Sequence, residues 1–566
     1  MKKLCAFLLA SIAAVGCLAG CGGRTETDGG TSKTTLYVWN AYGGVGSEWL
    51  ENAAKRFEKL REEKSYAPGK KGVVIEINDG DLAFEPASMK TDGESLYFSL
   101  DTQISTLAMS GSVYNLDSIL DDDLADYGEP GVTLNDKLRE ESKALLTGVG
   151  NDTSVYALPH TSLIEQLSYN AALFEREGWW IADAGAENYT HVNYGSARFV
   201  KKSSGEKLST GPDGKYDTYD DGLPVSMEQF MLLCAKITAD GGKPFALAGK
   251  APGYAAMLCQ GLWTTFAGRE KIDAIYSQEG TVEIVVGEGT EPLFPGWGCD
   301  EIKKPITETY VINETDGYKV MNMVEKYYAT ALLKIFQQNN WFSTSYKNGS
   351  SNVEEQANFL SGGLKLGSKT REKLAFLVDG VYWNNEVKMS GRYDEVKESF
   401  HLDDDDIDVR IMPYPLQMTG STADVVGGKQ SIKVMSGMAF VNNNIKDNSE
   451  ILGATLDFLK FCYTDDELVK FTETTSITRP VNTVKKVDTS SMNSFGKSVY
   501  EIMNPENSEL AYGNPTSEMV KTRLSSFIIG AYGSGVFTYK NEKFLVMMER
   551  GSSAWDCFEK TMRTSW

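Results

Sequence analysis

The chain has 566 residues, more than one ordinary domain holds, so about three or four structural units are expected. Apolar residues make up 41% and charged residues 24%, the balance of a globular protein rather than a disordered or fibrous one. Lys plus Arg total 56 against 78 Asp plus Glu, and the formal net charge of −22 argues against nucleic acid or anionic lipid as a partner.

The first segment reads as an export signal. Lys2 and Lys3 give a positive end, and Leu4 to Cys17 is an uncharged apolar run, too short and wrongly flanked to span a membrane. Leu18, Ala19, Gly20 and Cys21 resemble a bacterial lipobox. That resemblance implies a signal peptide over 1–20 and a lipid on the Cys21 sulfur, which places the protein on the outer face of the cell membrane. An ordinary cleavage site ahead of a cysteine is the plainer alternative. Gly22 to Lys33 is polar and Gly-rich, so 21–33 reads as a lipid-anchored flexible linker. No later run is apolar and long enough to span a bilayer.

Thr34 to Asn40 predicts a buried strand, Ala41 to Gly46 a glycine-rich turn, and Ser47 a cap for a helix with Trp49, Ala53, Phe57 and Leu60 on one face. Val73 to Ile77 is a second strand, so the segment reads as a βαβ unit of a parallel sheet. Leu96 to Leu100 predicts a third strand with Asp101 at its end, and Asp121 to Gly150 reads as helical and polar. Val155 to Trp180 reads as a strand, a proline kink, an extended crossing and a helix. Ile181 to Leu223 is an excursion rich in Gly, Ser and Asp. Ser226 and Gln229 suggest a capping box for a helix to Ile237, and Ser277 to Gly298 reads as strand and turn. Ala375 to Glu386 predicts a strand ending in an aromatic cluster; Val409 to Pro415 and Lys433 to Val441 predict two more. Ile451 to Tyr463 is amphipathic, and Thr464 with Glu467 suggests a second capping box. Beyond Cys21 the cysteines are Cys234, Cys259, Cys299, Cys462 and Cys557; an odd, widely spaced set without CxxC predicts buried apolar residues rather than disulfides or a zinc site.

Chemistry-bearing patterns are sparse. Gly43, Gly44 and Gly46 lack the spacing of a dinucleotide loop and the lysine of a P-loop. Neither a G-x-S-x-G elbow nor an H-E-x-x-H pair is present. Aromatics beside amides and carboxylates are more informative, because sugar rings stack on aromatic faces while polar side chains bind their hydroxyls. Trp39 and Tyr42 flank Asn40, and Tyr382 and Trp383 precede Asn384, Asn385 and Glu386. Trp263, Trp297 and Trp341 lie between those clusters, and core packing is the competing reading for any single tryptophan. Asp213, Asp217 and Asp220 loosely follow a calcium-loop pattern; an acidic Asp-Gly turn is the alternative.

Several stretches, in order, resemble the extracellular solute-binding proteins of the maltose-binding type, which feed carbohydrate ABC importers. They are LYVWNAYGG, SLDTQISTLAMSGSVYNLDSIL, the crossing with Tyr156, Pro159, Tyr169, Asn170, Phe174 and Gly178, and the stretches LPVSMEQFMLLCAKIT, EEQANFLSGG…AFLVDGVYWNNE and ATLDFLKFCYTDDELVKFTETTSITRPVN. Inserts at about 181–223 and 271–340 depart from shorter members. The resemblance implies an α/β fold of two lobes with mixed and parallel sheets and three hinge crossings, near His160–Glu165, Phe376–Asp379 and Ala439–Asn443. It implies an N-terminal lobe from 34–163 plus 377–440 and a C-terminal lobe from 164–376 plus 441–566. Ligand would lie between the lobes at strand ends. The contacts it suggests are Asn40, Tyr42, Asp101, Thr102, His160, Trp297, Trp341, Tyr382, Trp383, Glu386 and Arg479, with His160 equally readable as a hinge residue. The implied protein is a monomeric binder of a sugar, without chemistry or cofactor of its own, working with permease subunits; calcium at Asp213, Asp217 and Asp220 stays open beside the turn reading and comes from the loop pattern, not from the resemblance. A secreted glycoside hydrolase or lyase, or a surface adhesin, are the alternatives.

Overall fold

A computed structural model describes residues 32–80, 88–100, 104–150, 152–192, 195–251, 253–297, 299–415, 429–513, 515–522 and 536–566. Cys21, Asp101 and Thr102 lie outside them. Strand β1 (Thr34–Ala41) runs into a short helical turn, α1 (Tyr42–Val45), then α2 (Glu48–Leu60), β2 (Val73–Gly80) and β3 (Leu96–Ser99). Trp49, Leu50, Ala53, Ala54 and Phe57 form the buried face of α2, at the helical spacing that the sequence shows. Gly46 ends α1 at φ 71°, a conformation that favours glycine; Ser47 makes no side-chain cap, contrary to expectation. β1 pairs parallel with both β2 and β3, as the βαβ reading requires. Residues 121–150 are not the helical stretch expected. They hold a small antiparallel pair, Asp123–Leu124 with Glu129–Thr133, and short helical turns.

The long strand β4 (Leu158–Asn170) is buried along its whole length and runs through Pro159 without ending there. Helix α3 (Met227–Ala239) is capped by the Ser226 side chain, but the Gln229 carbonyl takes the Val225 N–H, one residue before a true box. β5 (Lys243–Ala246), α4 (Gly253–Ser277), the hairpin β6 (Thr281–Pro292) with β7 (Lys303–Val311), α5 (Val324–Gln338) and α6 (Asn352–Leu360) follow. β8 (Leu374–Gly380) is shorter than expected, because Trp383 opens α7 (Trp383–Met389) instead of closing the strand. Then come β9 (Val409–Met412), β10 (Gln430–Val441), α8 (Ser449–Cys462), α9 (Asp465–Thr475), α10 (Ser494–Ile502), β11 (Ser508–Ala511), α11 (Phe544–Glu549) and α12 (Ala554–Glu559). The five expected cysteines are free and buried.

One mixed sheet of nine strands threads both halves, in the order β5-β8-β4-β10-β3-β1-β2, with β9 on β4 and β11 on β10. Two strands bridge the halves by changing partners. β4 pairs with β10 over 158–164 and with β8 over 165–169. β10 pairs with β11 over 430–433 and with β3 over 438–441. The first expected crossing therefore falls on β4 and the third on β10, a few residues early. The second, Phe376–Asp379, does not cross: among the described residues β8 pairs with β5 and β4 alone.

The expected lobe boundaries need correction for the same reason. Residues 377–415 and 429–436 stay with the C-terminal half, because β8, α7, β9 and the start of β10 all pack there. Residues 449–475 return to the N-terminal half, where α8 packs on β1 and α9 on α2. The third passage lies between Val481, bridged to Leu138, and α10, which packs on β9.

The returning segment is fastened by a buried ion pair. Arg61 donates to both Asp457 oxygens, from Nε at 2.9 Å and Nη2 at 3.0 Å, and Lys64 donates at 2.9 Å. The Tyr66 and Tyr127 hydroxyls donate to the same carboxylate. Burial raises the Asp457 carboxyl, but those donors outweigh it and hold it at about 2.

Candidate ligand-binding site

The two halves meet where α1 faces α7. Asn385 Nδ2 donates to the Gly44 carbonyl at 3.2 Å, a direct bond across the junction. On the N-terminal side Asn40 is fully buried; its Nδ2 donates to Asp79 Oδ1 at 3.0 Å and to the Gly46 carbonyl at 3.3 Å. Its Oδ1 has no hydrogen-bond partner among the described residues. Tyr42 is half-buried on the same turn.

On the C-terminal side a chain of amides and carboxylates continues. Gln356 Nε2 donates to Glu386 Oε2 at 2.8 Å and to Asp379 Oδ2 at 3.0 Å, and Asn352 Nδ2 donates to Glu386 at 3.3 Å. Asp379 sits opposite Gln166 in the β8–β4 register, so both project from one face of the sheet. Gln166 is 1% exposed, and neither its amide nitrogen nor its amide oxygen has a partner among the described residues; the Gln356 oxygen has none either. Burial, then the nearby Glu386 charge, pushes the Asp379 carboxyl well above the usual carboxylate range. The opposite face of β4 carries a different pair: Lys433 Nζ donates to Glu165 and to Gln260, each at 2.6 Å.

Of the residues expected at the site, Asn40, Tyr42 and Glu386 gather at this junction, and Tyr382 precedes α7 there with its hydroxyl against Met257. Asp101 and Thr102 lie outside the described residues, and the structure does not bring Trp383, Trp297, Trp341, Arg479 or His160 with the three. Trp383 is fully buried, donates from Nε1 to Ser168 Oγ at 2.8 Å, and packs edge-on against Phe359 and Phe495. It is core, because α7 starts at this residue and turns the indole into the C-terminal half. Trp297 and Trp341 are nearly buried and form a separate aromatic cluster with His191 and Phe336.

Arg479 and His160 belong to the interior of the N-terminal half. The Arg479 guanidinium lies 4.4 Å from the Phe471 ring centroid, 4.8 Å from Trp49 and 5.0 Å from Tyr463, and donates to the Cys462 carbonyl. This aromatic box replaces the ligand that the guanidinium was expected to meet. His160 packs between Trp49, Phe98 and Phe471, and burial, then the Arg479 charge, lowers its pKa well below the ordinary value. It is a neutral crossing residue, in line with the hinge reading, although its ring nitrogens find no partner among the described residues.

The acidic loop holds itself together with its own backbone. Asp220 accepts from the Asp213 N–H at 2.9 Å, Asp213 from the Lys215 N–H at 2.7 Å, and the Asp217 N–H turns to Asp221 instead. Among the described residues no group of three or more His, Cys, Asp or Glu side chains is arranged to hold a metal. Burial, then the Asp213 charge, pushes Asp220 up to about 7.

Gln166, Gln356, Asp379, Asn385 and Asp79 are absent from the expected set. A signal for two of them stands in the sequence: Glu165-Gln166 and Asp379 interrupt otherwise buried strand runs, where a polar side chain needs a partner. Gln356 and Asp79 sit in ordinary polar stretches and carry no such signal.

Solved structures share this architecture. A chitin oligosaccharide binding protein aligns at 15% identity over 92% of this chain and 98% of its own, with a TM-score of 0.50. The GacH receptor of Streptomyces glaucescens, solved unliganded and with acarbose, aligns at 15% identity over 94% and 96%, with a TM-score of 0.50. A protein solved in a study of xylan utilization by a thermophilic bacterium, Caldanaerobius polysaccharolyticus, aligns at 12% identity over 93% and 99%, also with a TM-score of 0.50. No protein-family model matches the chain, and no curated protein does. No helix among the described residues is long and apolar enough to cross a membrane.

Proposed function

We propose that this chain, whose mixed α/β architecture matches the two-lobe fold of solute-binding proteins, captures a sugar or oligosaccharide between its halves and delivers it to an ABC importer. One observation carries the reading: Gln166, buried at the junction with both amide atoms unpartnered among the described residues, in register with Asp379. A buried amide left without partners is costly, and a ligand hydroxyl pair satisfies both its donor and its acceptor. Glu386, Gln356 and Asn40 extend the same hydroxyl-binding chemistry toward Tyr42, whose half-buried ring offers a stacking face. The named ligands of two similar structures, chitin oligosaccharide and acarbose, support a carbohydrate. Closure would bring α1 onto α7, the contact that Asn385 makes with Gly44, with β4 and β10 as hinge strands.

The proposal extends to location and partners. A lipid on Cys21 would hold the protein at the outer face of the membrane, the 22–33 segment would act as a leash, and permease subunits would receive the closed form. The protein works as a monomer, and the reading assigns it no chemical step. A tryptophan-fluorescence and melting-temperature screen across mono- and oligosaccharides tests this. A sugar that shifts both signals at micromolar levels is expected; silence across the panel contradicts it. The carboxylates of Asp379 and Glu386, bridged by Gln356, are what a glycosidase would require, so the same panel is assayed for released reducing ends. Sustained turnover would replace the receptor reading with the enzyme one.

A further inference from the structure

Far from the junction in sequence, the C-terminal segment folds over α5 and leaves a cavity of about 340 Å³. Its cationic lining is Lys326, Lys540, Lys560 and Arg563, and no Asp or Glu side chain lines it. In a chain with a formal net charge of −22 such a wall stands out. Lys326 on α5 is 1% exposed, and its Nζ donates to the Met321 carbonyl at 3.1 Å and to Thr561 Oγ1 at 3.0 Å, both on the cavity wall. Two of its three ammonium protons are thereby placed. None of Lys326, Lys540, Lys560 and Arg563 has a carboxylate within 4 Å among the described residues, although the Lys560 charge is felt by Asp556 one turn back on α12. Burial, then the Arg563 charge, lowers the Lys326 pKa to about 7.

The wall is held in place. Trp566 donates from Nε1 to the Thr315 carbonyl at 2.9 Å and packs edge-on against Tyr318, and Asn322 bonds the Arg563 backbone through both ends of its amide. Lys540 and Asn541 form the turn of a small hairpin, both with positive φ, which sets Lys540 at the cavity rim.

We propose that this cavity is a binding site for an oxyanion of the phosphate class, with Lys326 at its floor and Lys540, Lys560 and Arg563 at its mouth. An anion there supplies the charge that the buried ammonium lacks, and the Arg563 fork suits two of its oxygens. The source is either a free anion or the headgroup of a lipid.

The test uses the full chain, titrated with inorganic phosphate at low ionic strength, beside cosedimentation with phosphatidylcholine vesicles with and without phosphatidic acid. Phosphate should bind at submillimolar levels, weaken as salt is added, and bind at least about tenfold more weakly to K540Q/R563Q, whose substituted side chains are exposed. Sulfate, which does not titrate near neutral pH, should be taken up together with protons in the native protein and without them in K326M. Binding of phosphate without vesicles assigns a free anion; binding of acidic vesicles alone assigns a headgroup. No binding of either, or equal binding by K540Q/R563Q, overturns the site. Sugar affinity in K540Q/R563Q should equal the native value, so this result stands apart from the receptor reading.

Discussion

Asp457 and Gln166 are both buried polar residues on regular elements, yet their surroundings differ in kind. Arg61, Lys64, Tyr66 and Tyr127 all donate to Asp457, whereas the Gln166 amide has no partner among the described residues. The first arrangement fastens α8 to α2 within one half. The second lies where the halves meet, and in the proposed reading a bound sugar completes it. On that reading the satisfied cluster serves stability and the unsatisfied amide serves recognition. The Arg479 box stands between them: a cation that donates to the Cys462 carbonyl and is housed by aromatic faces, inside a single half.

Substitutions can break this contrast. The largest effect is expected from D457A, which strands the buried Arg61 charge and should lower the unfolding free energy by about 3–5 kcal/mol in urea titrations. A loss under about 1 kcal/mol would show that the cluster is ornamental. Q166A should do the reverse: stability changes by no more than about 1 kcal/mol, while glycan affinity drops about tenfold or more. Unfolding of Q166A without ligand would place this amide with the structural cluster instead.

Two pH effects sharpen the same contrast. Asp457 is held at about 2 when folded, below its unfolded value, so its contribution is present above about pH 4 and is lost as pH falls toward 2. That slope, worth about 2 kcal/mol, should vanish in D457N, measured by urea unfolding across the acid range. Asp220 runs the other way. Its folded pKa of about 7 lies above the unfolded one, so the folded chain keeps a proton and loses stability as pH rises from about 4 to about 7. D213N should flatten that fall, the smallest effect of the set, at about 1 kcal/mol or less near neutrality.

Much of the fold was legible. The first βαβ unit, the long crossing strand and the helices Met227–Ala239 and Ser449–Cys462 follow from periodicity, the first of these helices also from its Ser226 cap, and they are close to where expected. The lobe boundaries were not, because β4 and β10 stay buried across the point where they change partners. Periodicity marks a buried strand but not which strand lies beside it. The site was legible in part for a related reason. Asn40, Tyr42 and Glu386 lie beside strand ends, where local sequence predicts a loop facing a cleft. Trp383 looked equally exposed among its amides, but α7 begins at that residue and carries the indole inward. Arg479 shows the limit most plainly: its cage draws on Trp49, Phe98, Tyr463 and Phe471, which are scattered through the chain and meet only when it folds.

The most direct test of the central claim is isothermal titration of the tightest-binding sugar from the panel into the native protein, Q166A and D457N under conditions where all three are folded. The native protein should bind at micromolar levels, D457N within about twofold of it, and Q166A at least about tenfold more weakly. Equal affinity in the native protein and Q166A would contradict the assignment of the junction as the sugar site.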